Sequence, residues 1–101
     1  MTTQHVESYL DATLPVTERV ADLLARMTRE EKVGQMMQLD ARDDLEQLVL
    51  GRHVGAILHT SPEGVLRAHE LTDQTRLRIP LLVGEDCIHG HSFFKGTTIF
   101  P

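Results

Sequence analysis

The sequence predicts an α/β fold with parallel strands, on three observations. First, Val54-Gly55-Ala56-Ile57-Leu58 and Leu81-Leu82-Val83 are short, continuously apolar runs. That is the pattern of strands covered on both faces, since half-exposed strands alternate in polarity. Second, helix signals lie between the two runs. Residues 54–83 therefore read as strand, helix, strand, a unit that takes roughly 30 residues and makes parallel pairing natural. Third, two carboxylates and two imidazoles, Glu85, Asp86, His89 and His91, follow the second run closely. In parallel α/β folds, polar side chains just past a strand's C-terminal end face the ligand side. Asp86 is the first candidate to touch a substrate.

Each element has a local reason. Residues 1–14 carry weak periodicity and read as a leader that packs on something else or stays mobile. A helix starts at Thr17, which offers a capping oxygen, with Glu18 in the first turn; Val20, Leu23, Leu24 and Met27 form its apolar face. Thr28-Arg29-Glu30-Glu31 has the form of a capping box, so a second short helix starts there, burying Val33, Met36 and Met37. Met36 to Leu39 fits either the end of that helix or the start of a strand. Arg42 to Leu50 reads as a third helix with Leu45, Leu48 and Val49 inward, ended by Gly51. Ser61-Pro62-Glu63 starts the helix between the two strands: a capping serine, a proline at the first helical position and an acid in the first turn. That helix runs to about Leu77, and Pro80 forces Ile79 into extended backbone. After His91, Ser92-Phe93-Phe94-Lys95-Gly96 reads as loop.

Composition narrows the function classes. The 101 residues suffice for one small domain, and 41% are apolar, enough for a core. Tryptophan is absent and aromatics make up 4%, thin for a free-standing core. The net charge of −5 argues against nucleic acid or an anionic membrane as partner. No apolar stretch approaches the ~20 residues of a spanning helix. Cys87 is the single cysteine, so no intramolecular disulfide forms. The first residues lack a basic start and apolar run, so with Met1 as the start the expectation is a cytoplasmic protein. Two parallel strands and a few helices leave open edges, which points to the front part of a larger domain or to an unusual cover.

The chemistry-bearing residues have bland readings beside the functional ones. Adjacent residues in extended chain point to opposite faces, so one of Glu85 and Asp86 faces the site while the other turns back to the loop or a positive partner. Seen alone, such a dipeptide is a solvated loop. His89 and His91, with the carboxylates, suit zinc or iron. Their spacing matches no dedicated ligand motif, and a structural role under a glycine turn is the ordinary reading. His5, His53, His59 and His69 read as surface or satisfied histidines. Cys87 reads as a small buried apolar residue, with a nucleophile activated by His89 as the sharper alternative. Met27, Met36 and Met37 read as core, and Asp40 to Glu46 as a solvated helix face. No phosphate loop or nucleophile elbow is present.

Three stretches together resemble a known family. Residues 19–36, Arg-Val-Ala-Asp-Leu-Leu-Ala-Arg-Met-Thr-Arg-Glu-Glu-Lys-Val-Gly-Gln-Met, resemble the opening signature of glycoside hydrolase family 3. Residues 79–91, Ile-Pro-Leu-Leu-Val-Gly-Glu-Asp-Cys-Ile-His-Gly-His, with Gly96 to Pro101, resemble its next landmark, and Val54 to Leu58 sits where its first clear barrel strand lies. The resemblance implies that residues 17–101 begin a (β/α)8 TIM-like barrel, incomplete in this chain, behind a leader of residues 1–16. It implies a retaining, exo-acting β-glycosidase of β-glucosidase type acting on a β-linked glucoside or xyloside, with no metal and no organic cofactor. Asp86 matches the family's sugar-binding aspartate. The family's nucleophile, its acid/base and its other sugar-binding residues lie further along, so no catalytic residue is assigned here. The implied 101-residue piece lacks the remainder of the barrel and a C-terminal domain, and is inactive alone. Two other readings stay open: a small metal-binding module using Asp86, His89 and His91, and a non-catalytic remnant that folds by docking on another chain.

Overall fold

The structure, a computed structural model, describes residues 6–92 and 95–101. The first five residues of the expected leader, and the loop reading at Phe93 and Phe94, lie outside the described residues. Three short strands, β1 (Gln38–Asp40), β2 (Ala56–Leu58) and β3 (Leu82–Gly84), form a parallel sheet in the order β1-β2-β3. Three α-helices accompany them: α1 (Val16–Arg26), α2 (Arg29–Gln35) and α3 (Pro62–Thr72). The strand–helix–strand unit expected over residues 54–83 is therefore present as β2, α3 and β3, and the strands pair in parallel. The chain is α/β with a sheet compatible with part of a barrel. Among the described residues no helix is long and apolar enough to cross a membrane.

The core sits where β2 meets α3. Ile57 is fully buried and packs with Leu48, Val49, Val54, Ala68, Leu71 and Leu81. The middle strand is sealed because both its neighbours in the sheet are present: Ile57 pairs with Leu39 on one side and Val83 on the other. The apolar run of β3 does not behave as expected. Leu81 is buried, but Leu82 is 75% exposed and Val83 46% exposed. With the sheet order ending at β3, the described residues leave Leu82 largely and Val83 about half uncovered. The radius of gyration is 16.5 Å, against about 13 Å for a compact chain of this length.

The helices follow their caps more closely than their apolar faces. Thr28 makes the full capping box with Glu31, at 3.2 Å in each direction. Ser61 caps α3 by accepting from the Gly64 amide at 3.1 Å, with Pro62 at the first position. α3 stops at Thr72, short of Leu77, where the Thr72 hydroxyl turns back to the His69 carbonyl at 2.7 Å. α1 starts one residue before Thr17, after Pro15 and without a side-chain cap. Its expected inward face is largely open: Val20 and Leu24 are each 48% exposed. Val33 and Met36 are also exposed; of the three residues expected to be buried there, only Met37, just past α2, packs against the core. The ambiguous stretch resolves as helix to Gln35 and strand from Gln38. Residues 41–44 are loop, not the start of a helix, and the helical turn that follows widens into a π-type turn over Gln47–Gly51, with Leu48 and Val49 buried as expected.

The leader docks. Tyr9, in a single 3-10 turn (Ser8–Leu10), is buried. Its amide donates to Asp22 at 3.0 Å, its carbonyl accepts from Arg19 at 3.0 Å, and its hydroxyl donates to the Leu77 carbonyl at 3.1 Å. Arg76 ties three segments together. Its guanidinium bonds the Arg26 carbonyl at the end of α1 and the Glu31 carboxylate of the capping box. Burial would raise the Glu31 pKa, but the Arg76 bond and the Thr28 bonds outweigh it and hold it low.

Candidate functional site

Parallel strands that start together end together. The register aligns Asp40, Leu58 and Gly84 across the sheet, so the residues that follow emerge on one edge. That edge carries Asp40 and Arg42 from β1, His59 from β2, and Glu85 and Asp86 from β3. Elsewhere the sheet carries no charge; its C-terminal rim is where the charges collect.

Backbone geometry at β2 aims the imidazole. His59 adopts φ 60°, the left-handed region that histidine visits more readily than most residues. Its Nδ1 lies 2.7 Å from Glu85 Oε1, and its Nε2 lies 3.8 Å from Asp86 Oδ2. A carboxylate only accepts, so the Nδ1 bond puts a proton on Nδ1. Glu85 Oε1 also accepts from the Asp86 amide at 3.2 Å. Burial pushes the Glu85 carboxyl up. The His59 bond, the Asp86 amide and the positive character of His59 and His91 outweigh that, leaving it below the usual glutamate range.

β1 supplies a self-contained pair. Arg42 grips Asp40 through both carboxylate oxygens, with Nε at 3.0 and 3.1 Å and Nη2 at 2.6 Å, and its amide adds a bond at 2.9 Å. Led by the guanidinium bonds, these contacts hold the Asp40 pKa at about 2. Arg42 also feels Glu85, and Asp40 feels His59, so the three strand ends form one electrostatic group.

The Glu-Asp dipeptide splits as its extended backbone requires. Glu85 turns back to the His59 imidazole, its side chain 10% exposed, while the Asp86 side chain is 68% exposed. The partner, His59, read from sequence as a surface or satisfied histidine, is satisfied, but at the rim. Asp40 was assigned to a solvated helix face; it is instead the last residue of β1. Both were findable by the rule that selected Asp86, since each stands at or just after a strand end. Cys87 is exposed, contrary to the expectation of burial, because it lies in the loop past β3. His89 is exposed too, and the loop turns at Gly90, whose φ is 117° and whose missing Cβ would stand 2.2 Å from the Thr98 carbonyl oxygen. Among the described residues, no three histidine, cysteine, aspartate or glutamate side chains are grouped to hold a metal ion.

Known proteins are similar to this chain. No family model matches the chain. The periplasmic β-glucosidase of Salmonella typhimurium is 33% identical over 91 aligned positions, which cover 81% of this chain and 11% of that protein. The probable β-glucosidase C of Aspergillus flavus is 32% identical over 111 aligned positions, covering 88% of this chain and 18% of the relative. A solved β-glucosidase, described as involved in saponin metabolism and from intestinal bacteria, superposes with a TM-score of 0.59 at 65% identity, covering 82% of this chain and 11% of that one. The chain spans between about a tenth and a fifth of the length of these relatives. This α/β segment is thus similar to part of a glycosidase. More narrowly, the chain is β-glucosidase-like, similar to a short segment of each of these proteins.

Proposed function

We propose that this chain is the opening of a (β/α)8 barrel in a retaining, exo-acting β-glycosidase, and that Asp86 binds sugar hydroxyls where cleavage occurs. On this reading residues 17–101 are barrel and residues 1–16 a leader. The observation that carries it is the contrast among the rim carboxylates. Asp40 is held by Arg42 and Glu85 by His59, whereas Asp86 stands largely exposed at the end of a parallel strand. A carboxylate so placed accepts charge-assisted bonds from two neighbouring hydroxyls of a glucoside or xyloside. The uncovered Leu82 and Val83 of β3 support continuation of the sheet into further strands.

Retention needs two carboxylates about 5 Å apart, one attacking the anomeric carbon and one protonating the leaving oxygen. By resemblance to glycoside hydrolase family 3, the nucleophile and the acid/base come from residues further along than these 101. No metal or organic cofactor enters this chemistry. A cytoplasmic location stays a proposal, beside a relative whose name says periplasmic.

The test is Asp86→Asn in the longer enzyme of which this segment forms part. Loss of a charged acceptor should lower kcat/KM for an aryl β-glucoside by on the order of ten- to a hundredfold. Unchanged kinetics would remove Asp86 from the sugar site. Turnover of the same substrate by the isolated 101-residue chain would refute the placement of the catalytic carboxylates elsewhere.

A further inference from the structure

We infer that His59 is the positioning residue for Asp86, acting through the single oxygen Oε1 of Glu85. That oxygen accepts from the imidazole at the end of β2 and from the Asp86 amide past β3. The pair therefore fastens the main chain of Asp86 to the neighbouring strand, one step beyond the last register pair, Leu58 and Gly84. Asp86 Oδ2 lies 3.8 Å from His59 Nε2, beyond hydrogen-bond distance, and the side chain is 68% exposed, so its carboxylate stays open to a ligand.

Two features argue for a positioning role over a filler. His59 holds a left-handed backbone that aims the ring at Glu85, a conformation that persists only where surroundings enforce it. Both partners are well shielded, with side chains 16% and 10% exposed, so their bond is not a solvent-screened surface pair. The other titratable and charged groups facing this pair are the Asp86 carboxylate at 3.8 Å from Nε2, Asp40 and Arg42 at the end of β1, and His91 from the following loop. They bias the pair electrostatically, while the bond to the Asp86 amide comes from Glu85 alone.

The inference rests on the sugar-binding reading of Asp86 for its functional meaning, so the experiment separates the two. In the 101-residue chain, two-dimensional 1H–15N NMR follows the Asp86 amide between pH 6 and 3. In the wild type that amide should titrate with Glu85, below the usual glutamate range. His59→Ala should shift the resonance, raise the midpoint towards that range and speed amide exchange. His59→Asn supplies an N–H near the position of Nδ1 and tolerates positive φ, so it should restore all three. An Asp86 amide unmoved in His59→Ala, with the remaining spectrum native, overturns the inference. Should that variant not fold, His59→Phe, which keeps the bulk of the ring without its N–H, gives the same reading, and an unmoved Asp86 amide there overturns it equally. In the longer enzyme, a misplacement of order 1 Å costs on the order of a hundredfold in rate. His59→Ala should show such a loss, and His59→Asn should recover most of it. If Asp86→Asn leaves sugar kinetics unchanged while the amide still responds to His59, the sugar reading falls and the positioning stands.

Discussion

Ile57 and Val83 are partners in register on adjacent strands, yet one has no exposed surface and the other is 46% exposed. Both come from short apolar runs of the same character. β2 has a strand on either side and α3 packed against it; β3 ends the sheet among the described residues. The difference teaches that an apolar run states what a strand is made to bury, and the neighbours present decide what it does bury. The glycines beside the two strands repeat the contrast. A Cβ at Gly55 would stand 2.4 Å from the Gln35 carbonyl oxygen, which is main chain and cannot swing away. A Cβ at Gly84 would meet only the Nε2 end of the Gln38 side chain.

The comparison breaks most easily at the paired residues themselves. Ile57→Ala opens a cavity in the sealed core and should cost about 2–5 kcal/mol in urea unfolding. Val83→Ala should cost within about 0.5 kcal/mol, as at exposed positions generally. Equal costs would mean that β3 is covered in solution by a surface absent here, such as a second copy of the chain. Next come the glycines: Gly55→Ala should destabilise by about 1–3 kcal/mol through overpacking against main chain. Gly84→Ala should be close to neutral, because Gln38 can move. A large loss at Gly84 would show that Gln38 is held.

A smaller effect tests the docked leader. Tyr9→Phe removes one bond to the Leu77 carbonyl and should cost about 1 kcal/mol by thermal melting. No change would mean that the packing of the ring, not the bond, holds residues 6–10 in place. The smallest effect is the acid limb of the rim. The folded Asp40 pKa is about 2 and that of Glu85 is also lowered, so between the unfolded carboxylate range near 4 and about pH 2 the unfolded chain binds more protons. The contribution is fully present above about pH 4 and is lost as pH falls through the folded values. Melting temperatures from pH 5 to 2 should decline along this window, and Asp40→Asn should flatten the decline. The same slope in that variant would place the acid-sensitive group elsewhere.

The sequence was most legible where a signal is local. The Thr28–Glu31 capping box and the Ser61-Pro62 helix start are satisfied within three residues of themselves, so nothing distant could overrule them. Both strands and their parallel pairing were readable from apolar runs and their separation. Apolar faces were less legible: Val20, Leu24, Val33 and Met36 carry helical periodicity and still lie exposed, because burial needs a second surface. Asp86 could be singled out by its place after a strand. His59, 26 positions away from Glu85, could not be joined to it, since only the register of β2 and β3 brings them to 2.7 Å.

Residue order alone therefore determined the caps, the parallel α/β plan and the exposed carboxylate after the last strand, since each depends on neighbours in the chain. The tertiary structure alone decided which strand is sealed, and that the ends of β1, β2 and β3 share one charged rim. Burial and charge pairing are properties of surfaces brought together, and those distances exist only once the strands are in register.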